Sequence, residues 1–122
     1  MTRFDHEEVL LRLAIRDDAY VDEVLASNAA NVAASHQDAR THALVRIAAL
    51  VCVDAATPSY LAAIDTARSS GATDDEIVGT LVALIPIVGI PRVVSAAPTL
   101  GLALGFDVAG ALEELEGDAL PL

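Results

Sequence analysis

Apolar residues recur at helical spacing along most of the chain, and no segment shows the period-two alternation of a half-buried strand. Phe4, Val9, Leu10, Leu13 and Ala14 mark an amphipathic helix over residues 4–16, with Asp5 placed to cap it. Asp17-Asp18 restarts the chain, and Tyr20, Val21, Val24 and Leu25 predict a second short helix ending near Ser27-Asn28. The alanine-rich, polar stretch 28–37 reads as a third. Asp38 can cap a helix from Ala39 to about Val53, with Leu44, Ile47, Val51 and the alanines turned inward. Thr57-Pro58 has the form of an N-cap followed by proline at the first helical position, and it opens a helix through Ser70 with Leu61 and Ile64 at i,i+3.

The most informative stretch is Gly71 to Arg92, GATDDEIVGTLVALIPIVGIPR. Gly71 suits the left-handed residue that ends a helix. Thr73-Asp74-Asp75-Glu76 has the form of a capping box, and its acidic side chains suit the positive end of a helix dipole. Ile77, Leu81, Leu84, Ile85 and Val88 then predict a buried helix, which Pro86 is expected to end or kink. Gly89-Ile90-Pro91 is another break, with Pro91 opening a helix through Leu104. Phe106-Asp107 closes it, and a short acidic helix over 108–116 follows. The pattern predicts an all-α protein in a single domain, 1–122.

Composition sharpens this picture. The chain is 54% hydrophobic but only 3% aromatic and holds 24 alanines, so close helix–helix packing is expected and part of the apolar surface is expected to be buried on other copies. All seven basic residues are Arg, and the net charge of −11 argues against nucleic acid and against an anionic membrane surface. The stretch 77–106 is apolar apart from Arg92, but its uninterrupted run before Arg92 is 15 residues, short of the roughly 20 a spanning helix needs, and Pro86, Gly89, Pro91 and Pro98 break it. The charged stretch 1–18 lacks the apolar segment of a secretory signal, and Cys52 is the only cysteine, so the expected compartment is the cytoplasm.

Three groups of residues carry a resemblance. Gln37-Asp38-Ala39-Arg40-Thr41 leads into an apolar helix; Gly71, Ala72 and Thr73 precede Asp75, Glu76 and Ile77; and Gly89-Ile90-Pro91-Arg92 follows the long apolar helix. In this order and at these separations the stretch 38–104 resembles the carboxymuconolactone decarboxylase family, which includes the alkylhydroperoxidase D-like proteins. The resemblance implies an alkylhydroperoxidase D-like helical bundle, with 38–104 as the family-like core, N-terminal helices over 5–27 and a C-terminal helix over 108–116. It also implies a homo-oligomer, a trimer or hexamer.

Peroxidase members of that family carry a glutamate early in the first core helix, then Cys-x-x-Cys, then a histidine four residues on. Thiol chemistry needs an attacking thiolate, a resolving thiol and a relay that deprotonates the first sulfur. Here the corresponding positions hold Ala43 for the glutamate, Ala56 and Ser59 for the cysteines, and Ala63 for the histidine. Peroxidase activity is therefore not expected.

The remaining candidates for chemistry are few. His42 and Arg46 stand at i,i+4 on one helix face with Asp38; they read as the wall of an anion-binding or proton-handling pocket, or as a solvated or subunit-facing polar stripe. Tyr60 reads as a pocket hydroxyl or a packing residue. Cys52, between Val51 and Val53, reads as inert core whose burial would suppress the thiolate. Arg92 is the single charge of a long apolar run and reads as structural, or as a group that steers an acidic ligand. His6, His36 and His42 have no metal-site spacing, so neither a metal nor a cofactor is expected. Two functions remain open: a divergent enzyme acting on a small organic acid or lactone, with His42, Arg46 and Tyr60 as the groups to test, or a catalytically inactive helical oligomer that serves as a binding or assembly module.

Overall fold

The computed structural model describes residues 4–117. Among them the chain is all-α: α1 (His6–Ala14), α2 (Asp18–Leu25), α3 (Asn28–Ser35), α4 (Ala39–Cys52), α5 (Thr57–Ser69), α6 (Asp74–Val88), α7 (Ile90–Leu104) and α8 (Val108–Gly117). It divides within α4, between His42 and Ala43, into two compact units.

In the first unit each helix begins on a side chain that satisfies an otherwise orphaned backbone N–H. Asp5 accepts from Glu8 N–H at 2.9 Å, Asp17 from Tyr20 N–H at 3.2 Å, and Ser27 from Ala30 N–H at 3.0 Å. Arg12 joins α1 to the start of α2, donating to Asp17 at 2.7 Å and to Glu8 at 3.0 Å while its guanidinium lies 4.1 Å from the Phe4 ring centroid. The Tyr20 ring packs obliquely on Phe4, with centroids 6.1 Å apart. The apolar stripe expected to bury α1 stays largely outside: Leu10 is 63% and Leu13 55% exposed, because the hydrophobic periodicity fixes a face and not the surface that covers it.

The second unit owes its form to a buried core. Ala43, Ile47 and Val51 of α4 meet Tyr60, Ile64 and Ala67 of α5, Ile77 and Leu81 of α6, and Ala96 and Leu100 of α7. Helices α5, α6 and α7 pack on one another, and α8 packs on α7. The α7–α8 approach depends on Gly101, where an added Cβ would stand 2.6 Å from Val108 Cγ2. The capping box of α6 is present as the sequence predicts, with Glu76 N–H donating to Thr73 Oγ1 at 3.1 Å and Thr73 N–H to Glu76 Oε1 at 3.0 Å. Gly71 ends α5 in the left-handed region, with Ala72 N–H donating to the Ala67 carbonyl and Gly71 N–H to that of Arg68. The Arg68 guanidinium binds both carboxylate oxygens of Asp74, at 2.9 and 3.0 Å, and reaches the Leu104 carbonyl at 3.2 Å.

Three expectations need correction. Helix α5 is preceded by Ala56, which makes no side-chain cap, so Thr57 is its first residue and Pro58 its second; the missing proline N–H is among the orphaned donors at either place. Pro86 does not end α6, which continues to Val88, because a proline in the last turn removes one bond without breaking those around it; Gly89 N–H still donates to Ile85 at 3.0 Å. The turn into α7 is set instead by Gly89, with φ 88° and ψ 156°, a region essentially confined to glycine. On α6 the expected buried face narrows to Ile77 and Leu81, with Ile85 36% exposed. Among the described residues no single helix is long and apolar enough to cross a membrane.

Candidate functional site

The connection between α4 and α5 is only four residues, and both helices contribute side chains to the same buried core. Their facing positions are dominated by alanine, and short side chains leave space where larger ones would close the seam. The result is a groove of about 370 Å³, lined by Ala43, Arg46, Ala49 and Leu50 of α4 and by Ser59, Ala62, Ala63 and Thr66 of α5. Arg46 is its only charged lining residue. The Thr66 hydroxyl donates to the Ala62 carbonyl at 3.1 Å, which leaves its oxygen able to accept from a ligand.

This groove gathers three of the four positions that the family resemblance singled out: Ala43, Ser59 and Ala63. Ala56, the fourth, is exposed and precedes α5. The positions missed in the sequence are Ala49, Leu50, Ala62 and Thr66. Only the pairing of small residues on successive helices pointed toward them, and alanines carry no chemical signal of a site.

Asp38, His42 and Arg46 share a helix face in sequence but serve different purposes. Asp38 caps α4, accepting from Thr41 N–H at 2.7 Å, and this backbone bond holds its carboxyl below the ordinary aspartate range. His42 is buried, with Nε2 2.7 Å from Asn31 Oδ1. The Asn31 amide nitrogen donates to the Val24 carbonyl at 3.1 Å, which assigns its oxygen as the acceptor and places a proton on His42 Nε2. His42 therefore serves here in holding α3 to the start of α4, and only Arg46 of the three lines the groove.

Tyr60 does not line the groove either. Its side chain is part of the core, 2% exposed. Burial pushes its phenol above the ordinary value; the charge of Asp54 adds to this and that of Arg92 opposes it. Cys52 is exposed, contrary to the expectation of an inert core thiol. The reason is angular: successive helical residues point about 100° apart, so the complete burial of Val51 says nothing about its neighbour. Arg92 lies 3.7 Å from Asp54, with both side chains partly exposed. Among the described residues no three His, Cys, Asp or Glu side chains are grouped to hold a metal ion.

Compared with protein families, with characterised proteins and with solved structures, the chain matches none.

Proposed function

We propose that this chain is a divergent, carboxymuconolactone decarboxylase-like protein that binds a small organic acid or lactone in the α4–α5 groove without thiol peroxidase chemistry. The observation that carries the reading is the groove itself: it is of ligand size and includes Ala43, Ser59 and Ala63, where the resemblance puts reactive groups in peroxidases. With those positions reduced to alanine and serine, the groove offers one guanidinium, hydroxyls and apolar walls. A guanidinium does not surrender its proton, and unactivated hydroxyls are not bases, so the lining favours recognition over turnover. A carboxylate or lactone carbonyl would face Arg46, and an aliphatic body would rest on the alanines and Leu50.

Assembly belongs to the same proposal. Val78, Val82 and Ile87 on α6 and Ile90 and Val94 on α7 are exposed apolar side chains that support a homo-oligomer of the family's trimeric or hexameric kind. Light scattering on the purified chain reads this directly, and a monomer at micromolar concentration would refute it.

Ligand binding is tested by titrating the protein with a butyrolactone and with its ring-opened hydroxy acid while following amide resonances of α4 and α5. Saturable shifts centred on Ala43–Leu50 and Ser59–Thr66 are expected, with affinity for the acid about tenfold or more weaker in Arg46→Ala. Absence of shifts with either compound, or equal affinity in the variant, removes the groove as the binding site.

A further inference from the structure

A second polar cluster lies in the same unit, away from the lining of the groove. A shallow cavity of about 320 Å³ opens at the corner between α6 and α7, lined by Val88, Pro91, Arg92 and Ser95. The Arg92 guanidinium is the only charge in this lining, and its one acidic contact among the described residues, Asp54, is longer than a hydrogen bond at 3.7 Å. Among the described residues its fork of donors is therefore matched by no acceptor at hydrogen-bonding distance. Ser95 is exposed beside it, one helical turn along at i,i+3, and can add a hydroxyl donor. The charges of Asp54 and Arg92 both act on the buried Tyr60 phenol.

We propose that this corner is a second anion-binding site, separate from the α4–α5 groove, that takes a small monocarboxylate with an aliphatic body. The carboxylate meets Arg92 two oxygens to two N–H groups and accepts from the Ser95 hydroxyl, while the aliphatic part covers Val88 and Pro91. Two features favour a carboxylate over a phosphate. A single guanidinium neutralises one negative charge, and Asp54 beside it repels a dianion more strongly than a monoanion. Half of the lining is apolar and would be left wet by a bare inorganic ion. Asp54, 67% exposed and only loosely engaged, acts as a competitor that the ligand displaces.

The test follows backbone amides 88–95 during titration of the full chain with butyrate and, separately, with inorganic phosphate. Butyrate is expected to shift the Arg92, Val93 and Ser95 resonances saturably. Arg92→Gln should weaken that binding about tenfold or more, and Asp54→Asn should tighten it several-fold by removing the competitor. Arg92→Lys keeps the charge but not the fork and should bind with intermediate affinity, which separates recognition from any folding defect in the glutamine variant. Arg46→Ala should leave these shifts in place, so failure of the groove and failure of this corner are read apart. No shift at amides 88–95, shifts that persist undiminished in Arg92→Gln, or weaker binding in Asp54→Asn would overturn the proposal. Phosphate binding in preference to butyrate would overturn the choice of ligand.

Discussion

The two units of this chain are stabilised by opposite means. Before Ala43, helices of eight or nine residues are fastened by capping carboxylates and hydroxyls and by an arginine braced between Glu8 and Asp17, and Tyr20 is the only buried residue within them. After it, helices of up to 15 residues enclose a continuous apolar core, and α5 and α7 start without any side-chain cap. Short helices have little propensity to persist on their own, so the first unit depends on its local polar bonds, whereas the second takes its order from packing between residues distant in sequence. A fold of this kind has two different vulnerabilities.

Removing core volume should have the largest effect. Ile64→Ala empties space around a fully buried side chain and should cost about 2–5 kcal/mol, measured as a lower urea midpoint. A loss below about 1 kcal/mol would mean that the second unit is not governed by its core. Asp17→Ala removes both a helix cap and an Arg12 partner and should lower the urea midpoint less than Ile64→Ala does, with faster amide exchange confined to α1 and α2. If exchange rises equally in α5 to α7, the two units do not differ as described.

Acid should sharpen the same contrast. The Asp17 carboxyl is held below its ordinary value, chiefly by the Tyr20 N–H and also by the Arg12 charge, and Asp38 is held down by the Thr41 N–H. A carboxylate with a depressed folded-state pKa contributes stability above the unfolded value of about 3.9 and loses it as pH falls through the folded value. Amides of α1, α2 and the start of α4 should therefore lose protection below about pH 4 before those at Ile47, Ile64 and Ile77 do. The smallest effect concerns His36, which ends α3 with φ 56°. His36→Gly relieves a left-handed side chain and should raise stability by less than about 1 kcal/mol, seen as a small upward shift in melting temperature.

Much of the secondary structure was legible because its determinants are local. Asp5, Asp38 and Thr73 each act within three residues of themselves, and each caps the helix it was expected to cap. Tertiary outcomes were not legible in the same way. Whether Leu10, Leu13, Cys52 or Ile85 is covered depends on which helix lies opposite, and no spacing within one helix records that. The groove was legible only in part: Arg46 announces itself by its chemistry and Ser59 was reached only through the resemblance, whereas Ala49 and Ala62 matter for the volume they leave unfilled.

The exposed thiol at the end of α4 has a practical consequence. Because Cys52 is the only cysteine in the chain, maleimide chemistry will place one reporter per subunit at a defined address, with no background substitution required. Spin labels attached there turn assembly into a ruler reading. A cyclic trimer gives a single interlabel distance, a dihedral hexamer gives several, and a monomer gives none.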